Sequence, residues 1–159
     1  MVEITLNKME LRLAKALHEQ RLAENKKRGI RDRQIGDDPP TFDGVAAEVA
    51  FCKLFNVYPD LNTEHWDQAD VTVGGYTYDI KQSKYASAHL LVAEWKAKKQ
   101  DRVDFFAMMI GQAPTYKYVG LISSRDLMIP ERLKGPNPLS FPKVRSYVAT
   151  QDDLVVEVY

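Results

Sequence analysis

The sequence predicts an α/β domain: a mixed β-sheet of about five strands flanked by helices, with an amphipathic helix at the N-terminus. Three features carry that expectation. A proline- and glycine-free stretch from Glu3 to Lys27 mixes charged residues with apolar ones at helical spacing, "DGVAAEVAFCKLF" (Asp43 to Phe55) is apolar nearly all round, and a run of short segments after it is rich in β-branched and aromatic residues. Helix, then strands, then a short helix and one more strand is the order of a mixed sheet covered by helices.

In the N-terminal stretch, Met9, Leu13, Ala16, Leu17 and Leu22 give the apolar stripe. Its end is marked by Gly29 after Lys26, Lys27 and Arg28, cations suited to the last turn of a helix. Pro39 and Pro40 forbid helix in the following loop, and Thr41 or Asp43 is available as the next N-cap. The Asp43 to Phe55 helix reads as one buried against the sheet. "DVTV", "YTYDIKQ", "HLLVAEW", "DFFAMMIG" and "YKYVGLIS" are the expected strands. "SSRDLM" reads as a capped helical turn, the proline-rich "IPERLKGPNPLSFPK" as an irregular loop, and "SYVATQDDLVVEVY" as a returning strand. A single domain over residues 1–159 is expected, with an N-terminal helix and basic loop (1–40), a core (41–124) and a C-terminal loop and strand (125–159).

With 159 residues and 45% hydrophobic content, the chain has room for one sizeable core. Its 22 basic and 22 acidic residues cancel, which argues against a histone-like binder while permitting local basic patches. One cysteine, Cys52, allows neither an internal disulfide nor a cysteine zinc site, and points to a reducing, cytoplasmic setting. No signal-peptide pattern and no run of about 18 apolar residues is present, so no membrane partner is expected.

The chemistry concentrates in "DVTVGGYTYDIK", Asp70 to Lys81. Gly74-Gly75 suits a tight type I′ turn, whose two central positions need positive φ. That turn sets Val73 against Tyr76, Thr72 against Thr77, Val71 against Tyr78 and Asp70 against Asp79. Facing residues have Cβ atoms roughly 4.5 to 5.5 Å apart, so two acids placed there repel. Strand alternation puts Lys81 on the face of Asp79. Two converging carboxylates and an ammonium make a cradle for a divalent cation and the water it activates, with the Ile80 carbonyl as a further oxygen ligand. Val45, Glu48, Val49 and Cys52 fall at i, i+3, i+4 and i+7, which places Glu48 on a core-facing stripe where a lone carboxylate is costly unless paired or metal-bound.

Glu48 in an early helix, Asp70 opening one strand and Asp79-Ile80-Lys81 on the next resemble the PD-(D/E)xK, or restriction-endonuclease-like, nuclease superfamily, over roughly Asp43 to Ser124. Small phage-encoded nucleases and Holliday-junction-resolvase-like proteins are the most similar in size, which adds a phage-infected host cell to the expected settings. The resemblance implies a restriction-endonuclease-like fold with residues 41–124 as catalytic core. It also implies a DNA endonuclease dependent on Mg2+ or Mn2+, with Asp70 and Asp79 as metal ligands, Glu48 as a further ligand, and Lys81 orienting or activating the attacking water. Ala69 stands where the motif has proline. Pro59-Asp60 spells that half of the motif but lies too early to meet Asp79 through the Gly-Gly turn, so Asp60 is the rival to Asp70. A homodimer joined through the N-terminal helix is a further expectation by fold analogy.

Each of these residues also has an ordinary reading. Asp79 and Lys81 alone would be a salt-bridged strand, and Glu48 alone a helix charge reaching past its neighbours. Gln82 and Lys84 continue the strand toward a scissile phosphate or toward water. Lys26, Lys27, Arg28, Arg31 and Arg33 are phosphate contacts or a solvated helix end, and Lys96, Lys98 and Lys99 invite the same two readings. Ser83 and Ser87 lack a histidine and aspartate in a nucleophilic pattern, which argues against a serine hydrolase. The alternative function is a nucleic-acid-binding or structural module of the same fold without the chemistry.

Overall fold

Strand β5 (Phe105–Gln112) is the middle of a five-stranded mixed sheet ordered β1-β6-β5-β3-β2, with β1 at Val2–Thr5, β2 at Val71–Val73, β3 at Tyr76–Ser83 and β6 at Thr115–Ser123. The computed structural model describes residues 1–28, 40–61, 69–99, 103–136, 139 and 143–156. Neighbouring strands run antiparallel except β3 and β5, which are parallel. A parallel pair needs a crossover. Here it is made by β4 (Leu90–Ala93) and the short helix α3 (Glu94–Lys99) that follows helices α1 (Lys8–Arg28) and α2 (Phe42–Leu54) in the chain.

The sheet is covered on both faces because β5 is apolar on both, as expected of a central strand. Ala107 and Met109 face a core shared with α1 and α2, whereas Phe106, Met108 and Ile110 face a second core. That second core is closed by α3, by helix α4 (Ser124–Leu127) and by a small sheet of β4, β8 (Ser146–Ala149) and β7 (Leu133–Lys134). A bulge in β6 opposite Met108 and Met109 resets the alternation. The extra residue is Val119, and beside it stands Gly120, at φ +151°, where a Cβ would come within 2.7 Å of the Val155 carbonyl oxygen.

Helix α2 forms as the sequence predicts. Thr41 is its N-cap, its hydroxyl accepting the Gly44 N–H at 3.0 Å, and Val45, Ala46, Ala47, Val49, Ala50, Phe51 and Cys52 are buried. "SSRDLM" likewise gives α4, with the Ser123 hydroxyl accepting the Asp126 N–H.

Three expectations are corrected. The chain starts with a strand, β1, and the helix begins only after Asn7, which exchanges hydrogen bonds with Glu10 in a reciprocal cap. The buried stripe of α1 is also shifted. Leu17 is on it, but Met9, Ala16 and Leu22 are exposed, and the stripe runs through Ala14, Leu17 and the half-buried Arg21, because small Ala14 lets α2 approach closely. Finally, "HLLVAEW" does not join the main sheet. Its strand stops at Ala93, pairs with β8, and turns into α3 at Glu94, whose carboxylate holds Arg145 at 2.7 Å. The fifth strand of the main sheet is β1 instead.

Gly29, Arg31 and Arg33 lie outside the described residues, as do the side chains of Arg28, Lys98 and Lys99. Among the described residues no helix is long and apolar enough to cross a membrane.

Candidate active site

The Gly74-Gly75 turn produces the expected register. Both glycines have positive φ, +57° and +86°, and Val73 pairs with Tyr76, Thr72 with Thr77 and Val71 with Tyr78. The ladder then ends, and the expected fourth pair, Asp70 against Asp79, does not form, because Asp70 has left the strand. In place of the next strand residue, Asp70 Oδ2 accepts the Ile80 N–H at 2.8 Å. A strand residue sends its N–H and its C=O to the same edge, so the Ile80 carbonyl also points to the edge that Asp70 occupies.

Asp79 is buried, 4% exposed, and projects from the face opposite Ile80. Its carboxyl lies within hydrogen-bonding reach of that of Asp70. Lys81 Nζ stands 2.9 Å from Asp79 Oδ2 and 6.0 Å above the Phe106 ring, which holds the ammonium beside the acids. Among the described residues that buried oxygen has no partner besides the Lys81 ammonium. Asp60, the rival, is exposed, and its charge acts on Arg21.

Two unit charges about 4 Å apart repel by about 4 kcal/mol at an effective dielectric of about 20. That is enough to keep a proton on one of the two acids. Burial, then the charges of Glu48 and Asp79, push Asp70 well above the carboxylate range, with the Ile80 N–H pulling the other way. Burial also opposes ionisation of Asp79, but the ammoniums of Lys81 and Lys96 more than offset it and hold Asp79 below its ordinary value. The two carboxyls titrate as a pair, with Asp70 the one pushed up and Asp79 the one held down.

Glu48 approaches from the other side, on α2, and reaches the acids through its field. Burial raises it, Arg21 opposes that, and the Asp79 charge raises it further. Its carboxylate is held by Arg21 of α1, Nη1 to Oε2 at 2.7 Å. The structure therefore joins Asp70, Asp79, Lys81 and the Ile80 edge directly, and joins Glu48 to them electrostatically.

The weaker candidates separate. Gln82 donates its side-chain amide to the Gly111 carbonyl at 2.8 Å, a tie between β3 and β5. Lys84 is exposed, 5.2 Å over the Tyr85 ring, and Lys26 and Lys27 are exposed near the end of α1. Arg21 was not among the sequence candidates, although its place four residues after Leu17 on the buried stripe is visible in the chain. Lys96 had been read only as part of a basic patch. Its charge reaches Asp79 because α3 folds over that face.

Among the described residues no group of three or more His, Cys, Asp or Glu side chains stands close enough to hold a metal ion as placed. The donor chemistry nevertheless suits magnesium or manganese: two interacting carboxyls, a neighbouring carbonyl edge, and a buried carboxylate oxygen with no partner among the described residues besides an ammonium. No family model, curated protein or solved structure matches the chain.

Proposed function

We propose that this protein is a divalent-metal-dependent nuclease of the PD-(D/E)xK type, with a restriction-endonuclease-like core, that hydrolyses phosphodiester bonds in DNA. One observation carries the reading: the carboxyls of Asp70 and Asp79 act on each other at the open end of the hairpin, mostly buried, with Lys81 beside Asp79. Stability alone does not favour two acids in contact there.

Asp70, Asp79 and the Ile80 carbonyl would hold a magnesium or manganese ion, with Glu48 completing the set. When bound, the ion supplies positive charge against the phosphoryl oxygen and makes its water a stronger nucleophile at neutral pH. Asp70 would hold the ion as its ionised carboxylate. Asp79 keeps Lys81 in place, and the ammonium orients the attacking water and stabilises the negative charge that develops on the phosphoryl group. The ion pair with Asp79 holds the ammonium over the Phe106 ring, so little reorganisation is needed at the moment of reaction. Exposed Lys84, Lys26 and Lys27 are left for phosphates farther along the strand.

The test offers supercoiled plasmid, single-stranded DNA, a four-way junction and RNA with Mg2+, Mn2+ or EDTA. Cleavage of a DNA substrate that needs the metal and is lost in Asp79→Ala and Lys81→Ala is the expected result. Binding without cutting under every metal would instead make the chain a nucleic-acid-binding module.

A further inference from the structure

Arg21 comes from outside the hairpin and the helix that carry the acids, yet it ends among them. It lies on the stripe of α1 that packs on α2, after Ala14 and Leu17, and is itself half-buried. Its guanidinium holds Glu48 at 2.7 Å, with the two side chains only 22% and 14% exposed, and its charge also acts on Asp70. Asp70 is fixed by the Ile80 N–H and Asp79 by Lys81. Of the three acids, Glu48 has the longest side chain, and its one hydrogen-bond partner among the described residues is a cation.

We propose that Arg21 is a built-in competitor of the divalent cation: it occupies Glu48 until Glu48 exchanges the guanidinium for the ion held by Asp70 and Asp79. This rests on the nuclease reading for the identity of the ion. Two cations bidding for one buried carboxylate lower each other's affinity for it, and reciprocally so. The pair keeps Glu48 from standing as an uncompensated charge while the site holds no ion, and weakens ion binding by the cost of breaking it.

The test is a calorimetric titration of the full chain with Mn2+ after EDTA treatment and dialysis, on wild type, Arg21→Gln, Arg21→Lys and Glu48→Gln. Arg21→Gln should bind Mn2+ about tenfold more tightly, since a cation near the ion is gone. Arg21→Lys, which keeps the charge, should stay within about threefold of wild type. Glu48→Gln should bind about tenfold more weakly. A residue serving only to dock α1 on α2 would not tighten metal binding when removed. If wild type binds Mn2+ and Arg21→Gln binds no more tightly, the proposal is overturned while the nuclease reading stands. Should Arg21→Gln fail to fold, Glu48→Gln decides: wild-type Mn2+ affinity in that variant overturns the exchange. A wild-type chain that neither binds Mn2+ nor cuts overturns both readings.

Discussion

The β5–β6 and β2–β3 hairpins are each gripped by an aspartate from outside their strands. At the tip of β5–β6, Asp43 of α2 accepts the Ala113 N–H at 3.0 Å and the Tyr116 hydroxyl at 3.3 Å. At the open end of β2–β3, Asp70 accepts the Ile80 N–H at 2.8 Å. The company differs. Asp43 meets neutral donors, which ties a helix to a hairpin, whereas Asp70 also meets the carboxyl of Asp79 and the field of Glu48. A single acid with neutral donors is sufficient to fasten a hairpin. The second and third acids at β2–β3 add repulsion that fastening does not require, and this excess marks the site.

The contrast breaks most sharply if the β2–β3 acids prove dispensable for chemistry. Asp79→Ala and Lys81→Ala should each lower the cleavage rate by roughly a thousandfold or more at saturating Mn2+, whereas Asp43→Ala should leave the rate per folded molecule within about threefold, measured by single-turnover cleavage of labelled DNA.

On the β5–β6 side the expected losses are in stability. Gly120→Ala puts a methyl 2.7 Å from a backbone oxygen at a positive φ, which should cost about 2 to 4 kcal/mol and lower the midpoint of thermal unfolding by about 5 to 12 °C. Asp43→Ala leaves the Ala113 N–H without its acceptor, at about 1 to 3 kcal/mol, while the Tyr116 hydroxyl keeps the backbone carbonyl of residue 43 at 3.1 Å. Chemical denaturation reads both, and an unchanged midpoint in Asp43→Ala would remove the structural half of the comparison.

The smallest effect has the opposite sign. Asp70 is raised above its unfolded value, so the native state loses stability as pH climbs from the unfolded pKa toward the folded one. Asn at position 70 removes that loss while keeping an oxygen for Ile80. Asp70→Asn should therefore unfold about 2 °C higher than wild type at pH 8 in EDTA, and the gain should vanish below about pH 4, where the acid is protonated in both states. A lower midpoint at pH 8 would mean that Asp70 is stabilising, like Asp43.

How far each hairpin could be read from sequence follows the same division. Gly74-Gly75 is a local signal, so the β2–β3 register and the meeting of Asp70 with Asp79 were legible, and so was α2, whose apolar residues leave no face for water. Strand β1 was not, because "VEIT" runs into a helix without a glycine or proline between them. The place of β4 depends on β8, far along the chain, and no local pattern announces a partner that distant. Arg21 escaped because hydrophobic spacing reads only apolar residues, while a buried stripe can carry a cation where the opposite helix supplies a carboxylate.

Asp70 also ends the sheet. Among the described residues no strand continues along the β2 side of β3 beyond Val71, and an unpaired strand edge is a template on which another chain can add. The Asp70 side chain plugs the first open donor there, so the residue that would serve hydrolysis also guards against intermolecular strand addition. Alanine at position 70 would uncover the Ile80 N–H along with removing the acid, and such a variant should self-associate on concentration where Asp70→Asn stays monodisperse. For work that needs an inactive protein, asparagine is the safer choice at this position.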